Sequence, residues 1–338
     1  MTPDEIETAR RLLCQLGDAI RELVTDARNR GLTANFTDVA AETAADTIYG
    51  IDKLSEEPIL AWFEKKWPTD WPVELVMEGI DESETTIFPK TIPPEKVRFT
   101  CIIDPIDGTR GLMYDKRSAW ALAALAPRGN RQPRLSDLTV AAMTEIPTSK
   151  QSVTDQISGF AGGGPSGIVA ERRDPISGTI KKLPLRPSTA TDFRHGFASF
   201  CKFFPEGRSL TSKIEEALWR ELGELDVATS PVIFDDQYIS TGGQIYEILV
   251  GHDRLIADLR PLILPKAGFP SSLACHPYDI CTGFLLNEAG AILETPDGKP
   301  VDAPLDTTSP VSWIAYANST LAEKVRPVLR KVLKEILA

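Results

Sequence analysis

A layered α/β (α+β) architecture is what this sequence predicts, and three observations carry the expectation. Segments with helical apolar spacing alternate with short runs rich in β-branched residues along the whole chain. No internal repeat or low-complexity tract interrupts that alternation. At 338 residues, 42% apolar and 25% charged, the chain is long enough for one large domain or two lobes around a substantial core.

The first helix is announced by Thr2-Pro3-Asp4-Glu5, which offers an N-cap, a first-turn proline and a capping-box glutamate. Ile6, Leu13, Leu16, Ile20, Leu23 and Val24 then recur at helical spacing until Gly31. A second helix is expected over residues 44–67, with Ile48, Ile51, Ile59, Trp62 and Phe63 on its apolar side and Asp46 and Asp52 among its acids. Strand-like runs follow at 73–77, 97–103, 119–126 and 138–143, read as one sheet. The segment FAGGGPSG at 160–167 is the clearest glycine-rich break, so the lobes are divided just before it, into 1–155 and 156–338. The second half predicts a strand at 197–203, a helix at 209–222, a helix beginning near Gly243 and a strand at 255–259. HPYDICTGFLLNEAGA reads as one helix from Tyr278 to the glycine at 290, followed by a strand at 292–293. The tail reads as a strand within 312–319 and an amphipathic helix over 321–337.

The formal net charge of -11 opposes binding to a nucleic acid polymer or an anionic membrane, and an anionic substrate needs local cations. Five scattered cysteines, with Cys101 in an expected core strand, argue against a disulfide framework and for a cytoplasmic location. The N-terminus carries no apolar run of signal length, and no uninterrupted apolar stretch reaches the roughly 18 residues of a membrane span.

The chemistry concentrates in TCIIDPIDGTR, where an apolar run meets two aspartates, Asp104 and Asp107, on either side of Pro105 and Ile106. Proline excludes regular helix and weakens sheet pairing, so the chain is expected to leave its strand at Asp104 and turn at Gly108. Two carboxylates so placed repel, and one has its pKa raised unless a divalent cation intervenes. Hard cations such as Mg²⁺ take oxygen ligands, including a turn carbonyl such as that of Ile106. Thr109 adds a hydroxyl, and the backbone N–H groups of the turn offer hydrogen bonds to an anion. The plainer alternative is a solvated Asx-type turn. Glu78 ends the run ELVMEG, and Asp279 opens a helix in PYDICTG, a place where an acid can equally be an N-cap. The haloacid-dehalogenase pattern does not fit, because the spacing is Asp-x-x-Asp with proline second. A helix-loop-helix calcium loop fails too, since Thr109 falls at the sixth position and Asp115 at the twelfth. Cys275-His276 with Cys281 lacks a fourth ligand for zinc.

DPIDGT after a strand, an acid ending the previous strand, and YDICTGFLLNEAGA near the C-terminus together resemble the two signatures of the inositol monophosphatase superfamily. The similarity extends through STGGQIYEILVGH and WIAYANSTLAEKV. It implies a layered αβαβα sandwich and Mg²⁺-dependent, Li⁺-sensitive hydrolysis of a small phosphorylated metabolite, with two or three ions per site and Mn²⁺ as the alternative. By position it implies that Glu78, Asp104, the Ile106 carbonyl, Asp107 and Asp279 are metal ligands. Thr109 and Asp52, with Asp46 as the rival acid, orient the attacking water beside Glu78 in this reading. Gly108, Thr109, Arg110, Gly242, Gly243 and Arg260 fall on the substrate side. Glu78-Gly79 replaces the usual glutamate pair, with Asp81 and Glu82 nearby, and Tyr49 stands where a threonine is common. The continuation Arg110-Gly111-Leu112 is similar to that of the 3'-phosphoadenosine 5'-phosphate phosphatases, so Arg110, Lys116 and Arg117 are candidates to meet a second phosphate. A homodimer is implied as common in the superfamily. The contrasting class is a non-catalytic relative that binds a phosphorylated ligand or a protein, and its mark, loss of a ligand acid, is missing here.

Overall fold

A computed structural model describes residues 1–30, 39–42, 47–80, 86–225, 231–271 and 273–338, with backbone alone for 39–42 and 47–54. Helix α1 (Pro3–Asn29) begins on the expected capping box: the Glu5 amide donates to Thr2 Oγ1 at 3.2 Å and the Thr2 amide to Glu5 Oε2 at 2.8 Å. Strands β1 (Val39–Glu42) and β2 (Thr47–Tyr49) pair antiparallel ahead of α2 (Gly50–Lys66). The helix expected from residue 44 therefore starts at Gly50, because β-branched Thr47 and Ile48 with Tyr49 take the extended form that suits them.

Strands β3 (Val73–Met77), β4 (Thr86–Phe88), β5 (Phe99–Asp107), β6 (Ala119–Pro127), β7 (Val140–Ile146), β8 (Thr154–Phe160), β9 (Val169–Arg173) and β10 (Ile180–Lys182) form one sheet. Its order is β10-β9-β8-β7-β6-β5-β3-β4, antiparallel apart from the parallel β3–β5 pair. A short helix α3 (Thr109–Met113) follows β5. After β11 (Gly196–Phe200) come α4 (Arg208–Glu221), β12 (Ile233–Phe234), α5 (Thr241–Leu249), β13 (Asp253–Asp258) and α6 (Arg260–Lys266). Then follow α7 (Pro277–Ile280), α8 (Phe284–Glu288), β14 (Ile292–Glu294), β15 (Trp313–Tyr316) and α9 (Ser319–Leu337). The second sheet runs β12-β11-β13-β15-β14. A division between 155 and 156 falls inside β8; the change from one sheet to the other comes after β10 and before β11.

Period-two alternation assigns each strand residue to one of two cores. On β6, Ala121, Ala123 and Leu125 face the side covered by α1 and α2, while Trp120, Leu122 and Ala124 face the other sheet. Helices α5, α7 and α8 fill the space between the sheets, and α4 and α9 cover the far face of the second sheet through Leu255, Ile314 and Tyr316. The layers are thus α, β, α, β, α. No helix among the described residues is long and apolar enough to cross a membrane.

Two local departures bear on the site. The single helix expected at 278–290 is broken into α7 and α8, because the Gly283 amide turns back to the Ile280 carbonyl at 2.8 Å. The glycine-rich turn after β8 is held by α8: the Gly162 and Gly164 amides donate to Glu288 at 2.8 and 2.6 Å.

Asp253 is 6% exposed at the start of β13, and burial, then Glu247 and Asp236, push its carboxyl up to about 7 against the pull of His252 and Arg117. Its proton is lost near pH 4 in the unfolded chain but near 7 in the folded one, so the folded state binds more protons between and stability falls as pH rises through that window. Asp253→Asn should flatten this slope and raise stability above pH 7 by about 1–3 kcal/mol relative to wild type. Urea unfolding at acidic and alkaline pH measures both effects; an unchanged slope in the variant would refute the assignment.

Candidate metal centre

Strand β5 does not end at Asp104 as its proline suggests; it continues to Asp107 through a bulge. Asp104 lies opposite Leu122 and Asp107 opposite Trp120, so three steps along β5 match two along β6. In a regular strand, residues three apart point to opposite faces. The one extra residue restores them to the same face, the one toward α5 and α7. Pro105 suits this position, since a bulge leaves an amide out of the ladder that proline does not have to supply. The Ile106 amide is satisfied by Asp104 Oδ1 at 3.0 Å instead of a strand neighbour.

The turn that follows needs Gly108 for two reasons. Its φ is +95°, and a Cβ there would sit 2.9 Å from Ser240 Cβ and 3.1 Å from the Ile239 carbonyl. Thr109, first residue of α3, donates its hydroxyl to the Ile106 carbonyl at 2.7 Å. On the facing side α7 presents Asp279 in its first turn, where Oδ2 accepts the His276 amide at 2.6 Å. His276 is the N-cap and Asp279 the third helical residue, so Asp279 closes a capping box from inside the helix.

Carboxylate oxygens of Asp104, Asp107 and Asp279 all lie within 4.8 Å of one another, the one grouping of possible ligands of this kind among the described residues. Glu78, just beyond β3, shares a hydrogen bond with Asp104. These acids line one cleft of about 60 Å³ together with Ile106, Gly108, Thr109, Arg110 and Arg260. Asp104 is 1% exposed, and its pKa is driven well above the usual carboxylate range by burial and then by Glu78, Asp107 and Asp279. Asp107 is pushed only to about 6. Burial raises it, but the Ser240 hydroxyl at 2.7 Å, the Gly242 amide and the Thr241 amide at 3.1 Å stabilise its charge. All three donors come from the N-terminus of α5, an end that carries partial positive charge.

These features fit a hard divalent cation. The donor set is all oxygen, Asp104 and Asp107 are desolvated, and the neighbouring acids raise the pKa of Asp104 in the absence of a cation. The remaining expected residues divide. Arg110 lines the cleft, with its guanidinium 5.7 Å from the Phe204 ring. Arg260 lines it too, but is tied to Asp258 through Nε at 2.9 Å and Nη2 at 2.6 Å and to the Leu273 carbonyl through Nη1 at 2.6 Å. Burial disfavours its charge, and Asp258 more than restores it. Gly242 and Gly243 do not line the cleft. A Cβ on Gly242 would meet Leu122 at 2.7 Å, and one on Gly243 the Tyr238 ring at 2.3 Å, so the first serves the close seating of α5 on β6 and the second the seating of Tyr238 against α5. The side chains of Asp52 and Asp46, and residues Asp81 and Glu82, lie outside what is described.

Sequence reasoning missed Ser240 and Thr241, the Asp258–Arg260 pair, and Phe203 and Phe204 on the cleft wall. Ser240 was legible in principle: Ser-Thr-Gly-Gly before an apolar helical run is an N-cap pattern, and the Gly243 amide does donate to Ser240 Oγ at 2.9 Å.

Mg²⁺ should stabilise the wild-type protein against heat, by about 2.7 kcal/mol at a hundredfold excess over its dissociation constant. Asp104→Asn should lose that stabilisation while melting no lower than wild type in chelator, because it removes a member of a mutually repelling buried group. Thermal melts of both proteins with and without Mg²⁺ decide it; an equal Mg²⁺ response in the variant would exclude Asp104 as a ligand.

No protein-family model matches the chain, and no curated protein matches it in sequence. Solved structures do match, over nearly the whole length. The extragenic suppressor protein SuhB of Bartonella henselae superposes with a TM-score of 0.61 at 16% identity, covering 96% of this chain and 99% of that one. The fructose-1,6-bisphosphatase of Leishmania major gives 0.63 at 13% identity, covering 96% and 94%. An inositol monophosphatase from Anabaena gives 0.59 at 15%, covering 98% and 97%. At these identities the likeness is one of fold, and the chain has the αβαβα fold shared by inositol monophosphatases and sugar bisphosphatases.

Proposed function

We propose that the protein is a divalent-cation-dependent phosphatase that hydrolyses a small phosphate monoester, of the polyol, sugar or nucleotide kind. The observation that supports this most is the desolvated carboxylate group of Asp104, Asp107 and Asp279 at the floor of a cleft whose wall carries arginine. Asp104, Asp107, Asp279, Glu78 and the Ile106 carbonyl would hold Mg²⁺ or Mn²⁺. When bound, the ions supply Lewis acidity and neutralise charge on the phosphate.

The chain's own residues do the rest. Thr109 donates its hydroxyl proton to the Ile106 carbonyl, which orients its oxygen as a hydrogen-bond acceptor toward a water in the cleft. Asp107, braced by three donors of α5, has its pKa raised less than that of Asp104, which lacks such donors. Phe203 and Phe204 flank the cleft and back the Arg260 and Arg110 guanidinium groups. Arg260 is committed to Asp258 and the Leu273 carbonyl, so Arg110 is the cation that favours a substrate with a second anionic group, since a guanidinium binds phosphate through two parallel N–H bonds.

Turnover of a panel of phosphate monoesters should require Mg²⁺ or Mn²⁺ and vanish in chelator, and Asp104→Asn and Thr109→Ala should each lower kcat by orders of magnitude in a folded protein. Full activity in chelator, or near wild-type turnover of both variants, would overturn the assignment. Arg110→Ala should cost about 1.5–3 kcal/mol in kcat/KM for a sugar or nucleotide bisphosphate and much less for inositol 1-phosphate. An equal loss on both would remove the case for a bisphosphate and leave the monophosphates.

A further inference from the structure

The helix terminus that grips Asp107 is itself held by one side chain, Tyr238, which is 5% exposed and does not line the cleft. Its hydroxyl donates to the Ser118 carbonyl at 2.9 Å and accepts from Trp120 Nε1 at 3.1 Å. Trp120 is the residue opposite Asp107 in the β5–β6 ladder, so this end of Tyr238 is tied to the strand beside the acid. Its carbonyl accepts the Ser240 amide at 2.9 Å and Gln244 Nε2 at 3.0 Å, so the other end is tied to the first turn of α5. The ring between them occupies the space that Gly243 leaves free. Arg117 covers the outer face of the ring at 4.9 Å and pairs with Asp236.

We propose that Tyr238, seated against Gly243, is a positioning residue that aims the Asp107 carboxylate at the cation by fixing α5 in register with β6. A ring that merely filled a core would hold its place by shape alone and leave sliding along the strand unopposed. The hydroxyl opposes it, because its donor and its acceptor are specific atoms of Ser118 and Trp120. A shift of α5 by a fraction of an ångström alters the Ser240, Thr241 and Gly242 bonds to Asp107 together, and with them the lone pair left for a metal.

The inference rests on the reading of Asp107 as a cation ligand, and the test separates the two. The full-length protein is titrated with Mn²⁺, free ion being followed by its paramagnetic resonance signal, alongside thermal melts. Tyr238→Phe keeps the ring and loses the hydroxyl bonds to Ser118 and Trp120; Gly243→Ala keeps the tyrosine and displaces it. Each should weaken Mn²⁺ binding by about 10- to 100-fold, the usual effect of losing a group that orients a ligand. Tyr246→Phe is the control, since it deletes a hydrogen bond to Asp155 at 2.7 Å from the same helix without touching the Asp107 cluster. It should lower the melting temperature and leave Mn²⁺ affinity as in wild type. Tyr238→Phe and Gly243→Ala binding like wild type, or Tyr246→Phe weakening binding as much as they do, would overturn the inference alone. Wild-type protein that leaves the Mn²⁺ signal unchanged, or an Asp107→Asn variant that binds normally, would overturn the cation reading and the inference with it.

Discussion

One inserted residue in β5 governs this site. Without the bulge between Asp104 and Asp107, the strand would send one carboxylate into the apolar layer under α1 and the other toward α5. With it, both face the space between the sheets, and the apolar side chains of that stretch, Ile103 and Ile106, go together to the opposite core. The sheet is thereby paired on both sides of the bulge, while two acids converge at a point from which water is largely excluded.

That convergence is unfavourable by itself, and the surrounding elements offset it unequally. Asp107 meets a hydroxyl and two amides from the positive end of α5. Among the described residues Asp104 meets the amide of Ile106 and the acids Glu78, Asp107 and Asp279. Two carboxylates three residues apart in sequence thus differ in proton affinity at neutral pH because one faces a helix terminus and the other does not. A divalent cation suits such a site, since carboxylates whose burial and mutual repulsion favour the protonated form regain their charge when an ion is bound.

Much of this was legible in the sequence. The helix caps, the strands from 73 to 126 and the closing strand and helix follow from short-range patterns, and DPIDGT with Glu78 and Asp279 marked the acids now found in one cleft. What could not be read was register. Pro105 signals an interruption, yet a proline ends a strand or sits in a bulge with the same local chemistry, and only the Leu122 and Trp120 partners distinguish them. Strands β8, β9 and β10 were missed because Thr154, Asp155, Gln156, Glu171 and Arg172 are polar at positions where ion pairs and hydrogen bonds, such as Arg172 to Asp155 at 2.8 Å, replace apolar burial. That Gly242 must be small could not be read either, because its demand is set by Leu122 of β6, more than a hundred positions away.

The acids of the cleft are drawn from both halves of the chain, Asp104 and Asp107 from an interior strand of the first sheet and Asp279 from α7, which packs on β5 and β6 of that sheet. About half of the chain lies between them. An ion shared by these side chains therefore acts as a crosslink closing a very long loop, and closure of a long loop restricts the unfolded chain more than closure of a short one. An ion held there would double as a clasp between β5 and α7. Its loss would leave α7 freer to lift from the sheet, which amide hydrogen exchange along α7 reports directly.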